Sequence, residues 1–408
     1  MARLGIDFGT SNTAAGVMAG DRPFLIPVEG GETTLPTSVF FDPDRKITLF
    51  GNAANRALID GREGRFMRAL KSVLGTSLMH EKRVIAHERL TLIEVVARFL
   101  AMLRERAEAT TGQTYDTALS GRPVQFHSTD AARNARAEDD LRAAYMAAGY
   151  KDVDFMFEPE AAALTAGPLE AGTYGLIVDI GGGTSDFSVF AQDPATRIVA
   201  SHGVRIGGTD FDRTLSLAHV MPLLGRGTAI RNEMGPGSHT APNAIYNDLA
   251  TWEKIAFLYS PDNLRLAKRY AKLGVDPVLF QRLATVIEEE TGHDLAFATE
   301  RAKIAANAEP TAQIDLRIIE RGLSAPLTSD AMSDALSDYA AQIAAAASET
   351  LTRANVAPRQ INQIVFVGGS SLMGVVASAL TTLLPAAAPQ QAAAFTAVAD
   401  GLAMASAR

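Results

Sequence analysis

Gly5-Ile6-Asp7-Phe8-Gly9-Thr10-Ser11 and Val178-Asp179-Ile180-Gly181-Gly182-Gly183-Thr184-Ser185-Asp186 follow one plan: apolar strand, aspartate, glycine-rich turn, hydroxyl. Glycine accepts a tight turn and carries no side chain, so backbone N–H groups can come right up to phosphate oxygens. Thr and Ser add donors, and an aspartate can hold a hydrated Mg2+. Two such turns facing each other would clamp one polyphosphate. Neither has the Gly-Lys-Ser/Thr of a Walker loop or the Rossmann spacing. A single copy reads equally well as a plain β-hairpin; it is the repetition that points to a polyphosphate clamp.

Around the two turns, short apolar runs bounded by glycine alternate with helical patterns, which predicts an α/β architecture. Strands are predicted at 2–8, 13–19, 23–28, 38–42, 118–126, 153–157, 174–180, 186–191, 312–319 and 363–367. Residues 90–110 carry the pattern of an amphipathic packing helix, and an Ala-rich helix over 338–356 stops near Pro358. The stretch from Gly225 to His239 reads as turn or loop, and helical patterns run from Tyr246 to about Asn307, a candidate lobe insertion.

A chain of 408 residues is too long for one simple core and implies two or more domains. Lys+Arg 38 against Asp+Glu 46 leaves a net charge of −8 with no basic stripe, which argues against nucleic acid as a partner. The absence of cysteine excludes disulfides, thiolate zinc sites and cysteine nucleophiles, and fits a reducing compartment. No apolar signal stretch opens the sequence, and no apolar run approaches the roughly 20 residues of a membrane helix. A soluble cytoplasmic protein without a membrane partner is expected.

Three more segments follow in order. Gly121-Arg122-Pro123-Val124-Gln125-Phe126, Phe157-Glu158-Pro159-Glu160-Ala161-Ala162-Ala163 and Phe366-Val367-Gly368-Gly369-Ser370-Ser371 resemble the first connecting segment, the Glu-Pro segment and the adenosine loop of DnaK-type heat shock chaperones. The Gly-Arg-Pro-Val wording is closest to the shortened YegD-type members. The resemblance runs from Gly5 to Ala405. It implies an actin-like ATPase fold of two lobes, each with a ribonuclease H-like core, around a central nucleotide cleft. On that reading residues 1–172 form lobe I, with a peripheral part at about 36–113. Residues 173–392 form lobe II, with an extended peripheral part at about 217–311, and 393–408 a connecting helix.

Carried over residue by residue, the resemblance implies ATP/ADP and Mg2+ as ligands. Asp7 and Asp179 would hold the Mg2+ shell, and Gly9, Thr10, Ser11, Asn12, Gly181, Gly182, Gly183 and Thr184 would line the phosphates. Lys71, in Ala69-Leu70-Lys71-Ser72-Val73-Leu74-Gly75, matches the catalytic cation. Glu158, Asp179 and Thr184 complete the catalytic set, with Asp186 nearby. Gly207 and Gly208 fall in a segment resembling Gly-Gly-Glu-Asp-Phe-Asp, in which Thr209 replaces the glutamate. Glu300 and Lys303 match ribose ligands, although Glu and Lys at this spacing are often an exposed ion pair. Gly368, Gly369 and Ser370 form the adenosine loop, and Ile304 and Leu372 stand where the chaperones place arginines flanking the base. A core position for both side chains is the competing reading.

After Ala397-Val398-Ala399-Asp400-Gly401-Leu402-Ala403-Met404-Ala405, which resembles the second connecting helix, no interdomain linker, peptide-binding domain or lid is expected. The function implied is slow, Mg2+-dependent ATP hydrolysis as a nucleotide switch, with a protein partner or co-chaperone of unknown identity. The alternatives are an ATP-binding interaction module without turnover and an actin-like filament protein.

Overall fold

A computed structural model describes residues 2–126, 130–192, 196–390 and 396–407. Contacts divide the chain into a first unit, residues 1–205, 343–372 and 377–408, and a second, residues 206–342 and 373–376. The expected boundary at 392/393 lies outside the described residues.

The first unit contains two mixed sheets wound the same way. In one, Arg3–Phe8 is antiparallel to Asn12–Ala19, which is antiparallel to Arg22–Leu25. On its other side it is parallel to Thr117–Arg122, itself parallel to Asp152–Phe157. Thr34–Pro36 adds a sixth strand against Asn12–Ala19. In the other sheet Tyr174–Ile180 is antiparallel to Ser185–Gln192, and that strand to Thr196–Val204. Tyr174–Ile180 is also parallel to Ile361–Val367, which pairs in parallel with Ala388–Gln390. Numbered within each repeat, both sheets have the order 3-2-1-4-5. The echo in the sequence is thus an echo of topology, with each glycine turn joining strands 1 and 2.

Two helices rich in small residues pack into a core shared with both sheets. Glu158–Thr165 and Ala397–Ser406 bury Ala161, Ala162, Ala163, Ala397 and Leu402 against Leu119, Ile177 and Val365. Their approach is close enough that a Cβ on Gly401 would lie 1.8 Å from the Ala161 carbonyl oxygen, and one on Gly5 2.7 Å from the Ala403 backbone nitrogen. A second core packs Leu4, Ile6 and Phe8 against Val95, Phe99 and Leu103 of the helix Leu92–Thr111, whose start is fixed by a Thr91/Glu94 capping box. A small antiparallel sheet, Ile47–Phe50, Ser38–Asp42 and Arg65–Arg68, carries the helix Gly51–Ile59.

The second unit is mainly helical: Gly208–Leu215, Ala244–Leu249, Pro261–Leu273, Pro277–Glu288 and Gly292–Ala308. Trp252 stands edge-on to His293 and Phe297 at 4.7 and 5.0 Å. The hairpin Thr311–Asp315 with Ser324–Thr328 completes it.

Several sequence boundaries are corrected. The strand expected to reach 126 ends at Arg122, before Pro123, which has no N–H to pair. The strand expected over 23–28 ends at Leu25, ahead of Pro27, and that over 312–319 ends at Asp315, whose carboxylate accepts the Arg317 N–H in a turn. The stretch read as loop between Gly225 and His239 holds a hairpin, Ala229–Arg231 with Ser238–Thr240. The Ala-rich helix starts earlier and runs Ser329–Ala354, because Thr328 Oγ1 caps it by accepting the Ala331 N–H at 3.1 Å. Among the described residues no helix is long and apolar enough to cross a membrane.

Candidate functional site

The first turn follows directly from its hairpin register, in which Asp7 pairs with Ala14 and Phe8 with Thr13. A Cβ on Gly9 would lie 2.2 Å from the Asn12 carbonyl oxygen, so only glycine closes this turn. In the second, Asp179 stands opposite Asp186, and the Gly181 N–H donates to the Thr184 carbonyl at 3.0 Å. The two turns meet: a Cβ on Gly182 would be 2.5 Å from Ser11 Oγ. Gly183 looks into open space, and Thr184 is exposed. The Gly368 loop backs the second turn, with a φ of +77° and room for no side chain between it and the Ile180 carbonyl oxygen, 2.4 Å from where a Cβ would stand. Ser371 donates from its hydroxyl to the Gly368 carbonyl and closes the short 3-10 turn Gly369–Leu372.

Lys71 reaches this place from a 3-10 turn, Leu70–Val73. The turn is entered through Ala69 at φ 58°, a left-handed conformation that costs a non-glycine residue on the order of 1 kcal/mol and marks a constrained site. Ser72 Oγ donates to the Ala69 carbonyl at 2.7 Å, and the Gly75 N–H to Asp140 Oδ2 at 2.7 Å, which pins the turn at both ends. Lys71 Nζ lies 2.6 Å from Glu158 Oε1, with side chains 8% and 13% exposed. Glu158 opens the helix Glu158–Thr165, where Pro159 suits the first turn and the helix dipole favours a carboxylate. Gly121 makes room for it, its missing Cβ falling 3.2 Å from Glu158 Cγ.

Asp7, Asp179 and Asp186 retain some exposed surface but stand deep in the protein. Burial, followed by the charge of Glu158, pushes Asp7 up to about 7. Burial and Glu158 push Asp186 up to about 7 as well, against a hydrogen bond from Thr184 that favours its ionised form. Asp179 is raised well above the ordinary carboxylate range by burial, then by Glu158, Asp186 and Asp7. For Lys71, burial alone would lower the pKa, but the charges of Glu158, Asp7 and Asp179 outweigh it and keep the ammonium protonated. Four carboxylates against one ammonium leave the cluster short of positive charge.

That deficit fits a bound Mg2+. Among the described residues no three His, Asp or Glu side chains are grouped to grip a metal ion directly. A hydrated Mg2+, which keeps several waters and uses one or two carboxylates plus phosphates, has no need of such a group.

Of the residues singled out from sequence, Gly9, Thr10, Ser11, Asn12, Gly181 to Thr184, Lys71, Glu158, Asp7, Asp179 and the Gly368 loop all belong to the first unit. Gly207, Gly208, Glu300, Lys303 and Ile304 belong to the second. There Gly207 caps the helix Gly208–Leu215, its N–H donating to Asp210 Oδ2 at 3.0 Å. Lys303 is 5% exposed and pairs with Asp212 at 2.8 Å, not with Glu300. Ile304 is 62% exposed, so it is no core residue, while Leu372 is half-buried. Asp140, which holds the Lys71 turn through the Gly75 N–H, lies outside every segment that the sequence singles out, because an aspartate within a charged helical run carries no local motif. Ala69 and Gly121 stand inside such segments, but the left-handed entry to the turn and the room left for Glu158 come only with the fold.

Two sheets of one topology, each contributing a glycine turn to a shared acid–lysine cluster, define a nucleotide-binding ATPase domain. Residues 3–230, more than half of the chain, match the family described as Hsp70 protein, and the chain belongs to the Hsp70 family. It is 32% identical over 221 residues to the chaperone protein DnaK of Endomicrobium trichonymphae, a match that takes in 52% of this chain and 34% of that protein. The chain therefore spans about a third of the length of that curated relative.

Proposed function

We propose that the chain binds ATP with Mg2+, hydrolyses it slowly and acts as a chaperone-like nucleotide switch. The observation that carries this reading is the convergence of Asp7, Lys71, Glu158, Asp179 and Asp186 beside two facing glycine turns. The matched 3-2-1-4-5 sheets support an actin-like fold with a ribonuclease H-like core in each repeat, divided at about 172/173. The Gly121-Arg122-Pro123-Val124 wording supports a place near the YegD-type members.

Asp7 and Asp179 would hold a hydrated Mg2+, which would supply positive charge to the phosphate oxygens and counter the repulsion within the cluster. The N–H groups of Gly182 and Gly183 and the hydroxyls of Thr10, Ser11 and Thr184 receive phosphate oxygens. Lys71, protonated and held by Glu158, presents its remaining donors to the transferring phosphoryl group, where stabilisation of developing charge counts most. Glu158 and Asp186 orient the attacking water. A single-turnover phosphate-release assay tests the reading: Mg2+-dependent release that falls in Thr184→Ala supports it. ATP binding with no release makes the chain a nucleotide-binding module without turnover.

A further inference from the structure

We propose that a cavity of about 500 Å³ in the first unit, outside the acid–lysine cluster, binds the phosphoryl group of a small phosphate ester. Its walls are the loop Gly75–His80 and three residues of the helix Ala131–Ala147: Arg133, Arg136 and Asp140.

The argument begins with charge. Elsewhere on this helix and beside it arginines are paired: Arg122 with Glu138, and Arg142 with Glu138 and Asp152. Arg133 and Arg136 have no acidic partner among the described residues. Arg133 Nε is buried without a hydrogen-bond acceptor. Among the described residues Arg136 engages only its Nε, in a long 3.4 Å contact to the Gly75 carbonyl. The carboxylate in the wall, Asp140, is turned to the Gly75 N–H at 2.7 Å and to His80 Nε2 at 2.9 Å and pairs with neither guanidinium, so two positive charges still outnumber one negative in the concavity. Ser77 is exposed at the rim and offers a further donor. Two guanidiniums with free N–H groups in one concavity suit a phosphate dianion, which takes bidentate, charge-assisted hydrogen bonds. The volume is that of a small-molecule pocket, and a chain of net charge −8 disfavours a polyanionic macromolecule.

Calorimetric titration of the 408-residue chain with inorganic phosphate and with glucose 6-phosphate tests this, in wild type, in Arg133→Ala/Arg136→Ala and in Thr184→Ala. The expected result is saturable binding in wild type and Thr184→Ala, weakened at least about tenfold in the double variant. Tighter binding of the ester assigns the rest of the cavity to its organic part, and equal binding assigns a free-phosphate subsite. Should the double variant melt early, Arg136→Glu, at an exposed position, gives the same loss with the helix intact. No saturable heat from either probe, or unchanged binding in the arginine variants, overturns the proposal.

Discussion

Lys71 Nζ stands 2.6 Å from Glu158 Oε1, joining a strained 3-10 turn to the first turn of a helix 87 residues further along the chain. Both side chains are nearly buried, and Asp7 and Asp179 add their charge from nearby. A buried pair of this kind gains little over an apolar replacement, but losing one partner leaves an uncompensated charge. Its retention beside the glycine turns accords with a role in chemistry more than in stability.

Lys71→Ala should therefore cost the ligand-free protein about 3–5 kcal/mol in urea unfolding. Hydrolysis should fall by roughly 10²–10³ with a smaller loss of ATP affinity, since the contact strengthens at the transferring phosphoryl group. Equal loss of affinity and turnover would make Lys71 a ground-state anchor.

Gly183→Ala separates structure from ligand. A Cβ there meets nothing within 4 Å and the backbone φ is not positive, so stability should change by no more than about 0.5 kcal/mol. The same Cβ projects toward incoming phosphate, and ATP affinity should drop at least about tenfold, or 1.4 kcal/mol. Unchanged affinity would place the phosphates elsewhere.

Gly401→Ala should act in the opposite way. Its Cβ would collide with the Ala161 carbonyl oxygen in the core shared by the two helices. Overpacking costs typically about 1–3 kcal/mol, and the clash with rigid backbone puts this variant at the upper end. Thermal unfolding in the absence of nucleotide reads it directly.

The raised aspartates fix a pH dependence. Asp7 and Asp186 titrate at about 7 in the fold and at an ordinary 3.8 when unfolded. Between these values the folded state binds more protons, so their contribution to stability is fully present below about pH 4 and is lost as pH rises through about 7. The ligand-free protein should melt higher at about pH 6 than at about pH 8. Mg2+ binding near neutrality should release protons, seen as a heat that varies with the buffer's ionisation enthalpy. Proton uptake would contradict the assignment.

Much of the fold was legible because its signals are local. The strands 38–42 and 174–180 were read at their observed bounds from apolar runs ending at turns. The glycine, aspartate and hydroxyl echo marks the two glycine turns that join strands 1 and 2 of each sheet. Thr196–Val204 was missed because Arg197, Ser201 and His202 interrupt the apolar pattern of this edge strand. Contacts made by tertiary packing left no trace. Spacing offered Glu300 as a partner for Lys303, whereas the fold supplies Asp212. Likewise, nothing in the run Glu138-Asp139-Asp140 announces that Asp140 holds the backbone of Gly75.

In the proposed function the two turns and their acid cluster bind nucleotide through Mg2+. A calorimetric titration of ATP into the chain, with Mg2+ and with EDTA, tests it most directly. Saturable binding is expected with Mg2+, and affinity at least about tenfold weaker in EDTA, because the phosphates then meet the acid cluster without the cation's charge. Absence of binding with Mg2+ present, or identical affinity without it, would contradict the account.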